Sequence, residues 1–173
     1  MTFYIKIRIM KYLTGIAFGV FVFALAIGFA CRKSNFEPDP SDSARWLLPV
    51  NEIYDGGPGQ DGIPSIDQPQ FSAVDEIDFL QNSDLVIGLK IGNDVRAYPH
   101  QILDWHEIVN DVVDGVPVAI TYCPLTGTAV AWDRRVGGET VVFGVSGLLY
   151  NSNILPYDRS TNSIGSQMLL KSV

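Results

Sequence analysis

The chain has 173 residues, 47% of them hydrophobic and 18% charged, which allows one domain with an appendage and not two full domains. Aromatic residues at 11% exclude wholesale disorder, and two cysteines, Cys31 and Cys123, exclude a disulfide-stapled miniprotein or a multi-cysteine metal knuckle. All nineteen acidic residues and nine of the twelve basic ones follow Cys31, an excess of ten negative charges with no basic stripe, which argues against a nucleic-acid partner.

Lys6, Arg8 and Lys11 precede Tyr12–Ala30, nineteen residues without a charge. This is the pattern of a basic n-region and an apolar h-region. As a helix rising about 1.5 Å per residue the run reaches roughly 28 Å, close to the thickness of a bilayer core. Gly28-Phe29-Ala30-Cys31 resembles a lipoprotein cleavage box, with Gly28 where a larger aliphatic residue is usual, and this makes Cys31 the candidate lipid anchor. The alternative is an uncleaved membrane helix. Residues 1–31 are therefore expected to be a signal or lipoprotein-type segment or a membrane anchor. Both fates make the membrane a partner and place the rest in the cell envelope, outside the cytoplasm. Residues 32–45, with Pro38 and Pro40, form the linker, and a globular domain is expected over 46–173.

Within the domain, Asp55–Pro69 is rich in glycine, proline and aspartate and predicts a loop. Its aspartates lack calcium-loop spacing and read as solvated acids. Ser72–Gln81 predicts a short helix with Ser72 as N-cap. Alternation from Leu85 to Ile91, the Gly92-Asn93-Asp94 turn and Val95–Tyr98 predict a hairpin. Pro99 opens a helix to about Val109, with Ile102, His106 and Val109 on one face. Val116–Cys123, Thr128–Arg134 and Thr140–Val145 predict strands of one antiparallel sheet, and Leu155–Asp158 adds another. Gln167–Val173 looks like the start of a helix with nothing to pack against, so the domain is expected to be incomplete at its C-terminus. The fold class is α+β and β-rich, an antiparallel sheet with one or two short packed helices.

Cys123 ends an apolar strand before Pro124, which cannot donate to a ladder, so the thiol is expected at a rim. The alternating Thr128–Arg134 removes the helix that activates cysteine in thioredoxin-like proteins. Activation then falls to Thr126, or to a histidine. His100 and His106 are six residues apart, about 120° on a helix, and cannot chelate as an i, i+4 pair. His106 and Asn110 share a face of the expected helix. Trp105 and Trp132 read as core, and Arg134, Arg135 and Arg159 as solvated charges.

Several motifs occur in order: Gly56-Gly57-Pro58, Asp61-Gly62-Ile63-Pro64, Arg96-Ala97-Tyr98-Pro99, Trp105-His106-Glu107-Ile108-Val109-Asn110-Asp111, Tyr122-Cys123-Pro124-Leu125, Leu149-Tyr150-Asn151-Ser152-Asn153 and Tyr157-Asp158-Arg159. Over about residues 48–167 the chain resembles a prokaryotic family known as domain of unknown function 3179. Its members commonly read Y-C-P-L-C-G, some with selenocysteine at the second position, which implies a redox-active or metal-binding pair. Here Thr126 stands at that second position, so the resemblance carries no dithiol cycle. Gly165 also replaces an expected aromatic, and the family domain usually continues beyond this point.

Three functions are open on these residues. In a single-thiol redox protein, Cys123 attacks, Thr126 hydrogen-bonds the thiolate, His106 is the base or orienting group, and an external thiol reductant closes the cycle. In a metal module, Cys123, His106 and His100 hold copper or zinc. The third is a non-catalytic scaffold that has lost the second redox residue and carries no cofactor. Whether the protein is an enzyme stays open at this point.

Overall fold

Short alternating segments separated by glycine and asparagine turns are the material of hairpins, and the computed structural model, which describes residues 7–11 and 46–173, is built from them. Cys31, the uncharged run and the linker lie outside the described residues. In chain order, β1 is Ile7–Lys11, β2 Ile53–Asp55 and β3 Gln70–Ala73, then β4 (Val86–Ile91) and β5 (Asp94–Pro99) lead into helix α1 (His100–His106). Next come β6 (Ile108–Val113), β7 (Val116–Cys123), β8 (Thr128–Asp133), β9 (Arg135–Val136), β10 (Glu139–Thr140), β11 (Phe143–Tyr150), β12 (Asn153–Asp158), β13 (Gly165–Ser166) and β14 (Lys171–Ser172). The β-rich α+β class is as expected.

Three sheets run β3-β1-β5-β4, β6-β7-β8 and β12-β11-β2, with β9–β10 and β13–β14 as small separate hairpins. Named strands pair antiparallel except β1 with β5. The β6-β7-β8 sheet is the middle layer. Its strands alternate, so Val109, Ile120 and Tyr122 pack on one side with Met10, Tyr98, Ile102 and Leu103. Ile108 and Ala119 pack on the other with Val141, Phe143 and Val145.

Four expectations change. Ser72 is not a helix cap but a buried strand residue opposite Ile9, and only Val74–Glu76 forms a 3-10 turn. The helix from Pro99 stops at His106, and the β-branched Ile108–Val113 continues as a strand. The third strand of the β7–β8 sheet is β6, while Phe143–Tyr150 pairs with β12 and β2. Residues Gln167–Leu170 turn between β13 and β14 instead of starting a helix.

Among the described residues no helix is long and apolar enough to cross a membrane. The first sheet and the middle one are fastened by charge. The Arg96 guanidinium donates to both Asp111 oxygens at 2.6 and 2.8 Å and to Asp94 at 2.9 Å, and Tyr98 Oη donates to Asp111 at 2.8 Å. Arg96 also lies over the Phe71 ring, 4.5 Å from its centroid. Asp111 is buried, so removing it leaves the Arg96 cation with Asp94 and the Phe71 ring and without its bidentate partner. Asp111→Ala is expected to cost about 3 kcal/mol in urea unfolding, the low end for a broken buried pair.

Candidate functional site

Strand β7 ends where Pro124 removes the next ladder donor. The amides of Thr126 and Gly127 return to Cys123 O at 3.3 and 2.8 Å. Gly127 takes φ +64, a conformation that suits glycine, and Thr128 pairs with Cys123 across the hairpin. Cys123 nevertheless is 0% exposed. Its Sγ donates to Ser152 O at 3.4 Å, from the two-residue turn of Asn151 and Ser152 that joins β11 to β12. The thiol expected at a rim is therefore covered by the neighbouring hairpin.

Thr126 is occupied as a strut. Its Oγ1 donates to Thr128 Oγ1 at 3.0 Å and accepts from Asn153 Nδ2 at 2.9 Å. Thr126 thus ties two hairpin turns together. The histidines go elsewhere. His100 packs its ring 4.5 Å from Tyr122, and the alternation of β7 puts Tyr122 and Cys123 on opposite faces. His106 Nδ1 lies 2.8 Å from Pro64 O. Among the described residues no group of three or more His, Cys, Asp or Glu side chains is arranged to hold a metal.

Asn110 does not share a helix face with His106. It sits buried in β6, donates to Phe143 O and to Asp67 at 2.8 Å, and accepts from Phe143 N at 2.9 Å. Arg159 and the loop acids, expected to be solvated, form a cluster: Arg159 donates to Asp61 at 2.9 Å and to Asp67 at 2.8 Å, and Tyr157 Oη also donates to Asp61. Burial alone raises the Asp61 pKa, but the bonds from Arg159 and Tyr157 outweigh it and leave the carboxyl below its usual range. Arg134 is buried, whereas Arg135 is exposed and paired with Asp133. Trp105, expected in the core, is 77% exposed, while Trp132 is half-buried and stacks on Phe143 at 6.0 Å.

The residue that sequence reasoning passed over is Glu107. It ends α1 with φ +55 and ψ −33, a backbone conformation that costs a non-glycine residue free energy. The conformation is held from both sides: Glu107 N–H donates to Leu103 O at 2.8 Å, and Tyr122 N–H donates to Glu107 O at 2.7 Å. Its side chain lines a cavity of about 250 Å³ shared with Asp104, Pro124, Leu125, Ser146 and Pro156. Burial pushes its carboxyl up to about 7. The only signal in the sequence is a lone acid between His106 and the apolar Ile108-Val109, where the imidazole is the more conspicuous group.

A family model described as "Protein of unknown function (DUF3179)" matches residues 60–173, and the chain belongs to that family. No curated protein and no solved structure matches it.

This geometry has two measurable outcomes. Iodoacetamide is expected to leave Cys123 unmodified in the native chain and to modify it once urea unfolds the domain, with peptide mass mapping as the readout. Glu107 titrates higher folded than in its unfolded range near 4.5, so its contribution to stability falls as pH rises from about 4.5 through 7. Melting curves should show Glu107→Gln removing that part of the pH dependence and becoming the more stable protein above pH 7.

Proposed function

We propose that this member of the family is a small-molecule binding domain, with Glu107 as the proton-exchanging group of its cavity. The observation that carries this is one carboxyl held at an unfavourable φ on an otherwise mostly apolar wall, beside the Pro124-Leu125 turn. Strain of this kind persists where surroundings over-determine it, and perturbed carboxyls in concave sites are the usual acid–base groups. A value of about 7 lets Glu107 give or take a proton near neutrality. At about 250 Å³ the cavity lies below the roughly 300–1,000 Å³ of drug-sized ligand sites. With Asp104 as a second acid, it suits a short aliphatic amine or alcohol.

The reading takes the place of a redox role for Cys123. The sulfur is fully buried and bonded to Ser152 O, so an external thiol reductant has no surface sulfur to meet. It also takes the place of copper or zinc held by Cys123, His106 and His100, for which the described residues offer no three-ligand group. It agrees with a domain that has lost its second redox residue. The location that goes with this reading is the cell envelope, with the domain tethered through the N-terminal segment. Its support is the three basic residues before nineteen uncharged ones and the acidity of the chain after Cys31.

The test is a titration of the full chain with n-butylamine, n-butanol and n-butyrate, followed by amide NMR shifts at Glu107, Ser146 and Gly147. The amine is expected to bind more tightly as pH crosses 7, butyrate not to bind, and Glu107→Gln to weaken the amine about tenfold or more. Equal binding of butyrate, or an unchanged amine affinity in Glu107→Gln, overturns the proposal.

A further inference from the structure

The first sheet contains a strand whose two sequence-derived fates both take it away. Ile7–Lys11 lies between β3 and β5, with Arg8, Ile9, Met10 and Lys11 opposite Ala73, Ser72, Phe71 and Gln70. On its other side Ile7, Arg8 and Ile9 run parallel to Val95, Arg96 and Ala97. The nineteen uncharged residues begin immediately after Lys11. If that run crosses a bilayer once, Lys11 and Trp46 end on opposite sides. If the chain is cut before Cys31, residues 7–11 leave altogether. Either fate would withdraw β1 from the sheet, and β3 and β5 would then face each other across a gap one strand wide with both edges unpaired.

The gap has a defined chemistry. Ile9 and Met10, adjacent in sequence, are buried on opposite faces, and Met10 at 1% exposure is part of the cluster with Tyr98, Ile102 and Leu103. The basic residues on either side of the pair lie near acids. Asp94 is held below its usual range mainly by its hydrogen bond from Arg96, and the Arg8 charge adds to this. Lys11 lines a groove with Glu76 and Asp78. We infer that the space between β3 and β5 is a strand-acceptor site for an extended basic–apolar–apolar–basic segment. It is filled in cis by Ile7–Lys11 and taken by a like segment of another polypeptide when those residues are withdrawn. Backbone pairing on both edges supplies affinity, the Met10 position supplies selectivity, and the acids fix the flanks.

Full chains carrying Met10→Ala or Met10→Asp test this, titrated with a fluorescein-labelled synthetic peptide of residues 5–11 and with a scrambled peptide of the same composition. The in-order peptide is expected to bind both variants at least about tenfold more tightly than the wild-type chain, whose own strand competes. It should also restore hydrogen-exchange protection at Gln70–Ala73 and Val95–Ala97. Met10→Asp is the stronger disruption, and Met10→Ala keeps the test open where the aspartate prevents folding. The inference fails if the variants bind no better than wild type, or if the scrambled peptide binds equally well. It also fails if neither variant takes up the peptide in any state, since a vacated acceptor must refill.

Discussion

The architecture turns on two backbone hydrogen bonds at one residue. Leu103 O receives the amide of Glu107, which closes α1, and the Glu107 carbonyl receives the amide of Tyr122, which ties the start of β6 to the end of β7. Between those bonds the chain reverses from helical to extended within one residue, at φ +55. The reversal sets β6 beside β7 in the register Ile108 to Thr121 and Asn110 to Ala119. From there Asn110 reaches Phe143, and Asp111 reaches Arg96 and Tyr98. The middle sheet is thus connected to both neighbours by polar side chains leaving adjacent positions on opposite faces of β6.

This arrangement has an energetic tension. A half-buried carboxyl whose charged form is disfavoured sits on a strained backbone, and both features oppose folding. Other ionisable groups nearby are treated differently: Asp61 is compensated by Arg159 and Tyr157, and Asp111 by Arg96 and Tyr98. Burial is the whole cause of the Glu107 shift. Asp61 and Asp111 thus have cationic partners, whereas Glu107 lines a cavity with its charged form disfavoured.

Much of the strand pattern was legible. Cys123 ends β7 where Pro124 removes a donor, and the Gly92-Asn93 and Gly137-Gly138 turns join the strands on either side of them. The parts that were not legible depended on partners distant in sequence. Ser72 has the chemistry of a helix cap, and only its pairing with Ile9, in a segment that reads as a leader, makes it a strand residue. Periodicity ran the helix on to Val109 because a single residue at positive φ leaves no trace in hydrophobic spacing. Trp105 looked like core by composition alone, and its exposure follows from its position on the outer side of a two-turn helix. The site failed in the same way. Sulfur and imidazole stand out by residue type, while the perturbed group is a carboxyl whose perturbation exists only once the cavity is built.

Thr126 fits the geometry around it. A strand alternates its faces, so Tyr122 and Cys123 must serve different cores, and His100 on the Tyr122 side is on the wrong face for the sulfur. Cys123 turns instead toward the β11–β12 turn, where its thiol donates a hydrogen bond to Ser152 O and Asn153 reaches across to Thr126. A hydroxyl can accept from Asn153 and donate to Thr128 at once, holding two turns together with neutral hydrogen bonds. A thiol is a weak donor and acceptor and would brace the turns less firmly. The Cys123–Gly127 turn is thereby held at Thr126, and its Pro124 and Leu125 line the cavity together with Glu107.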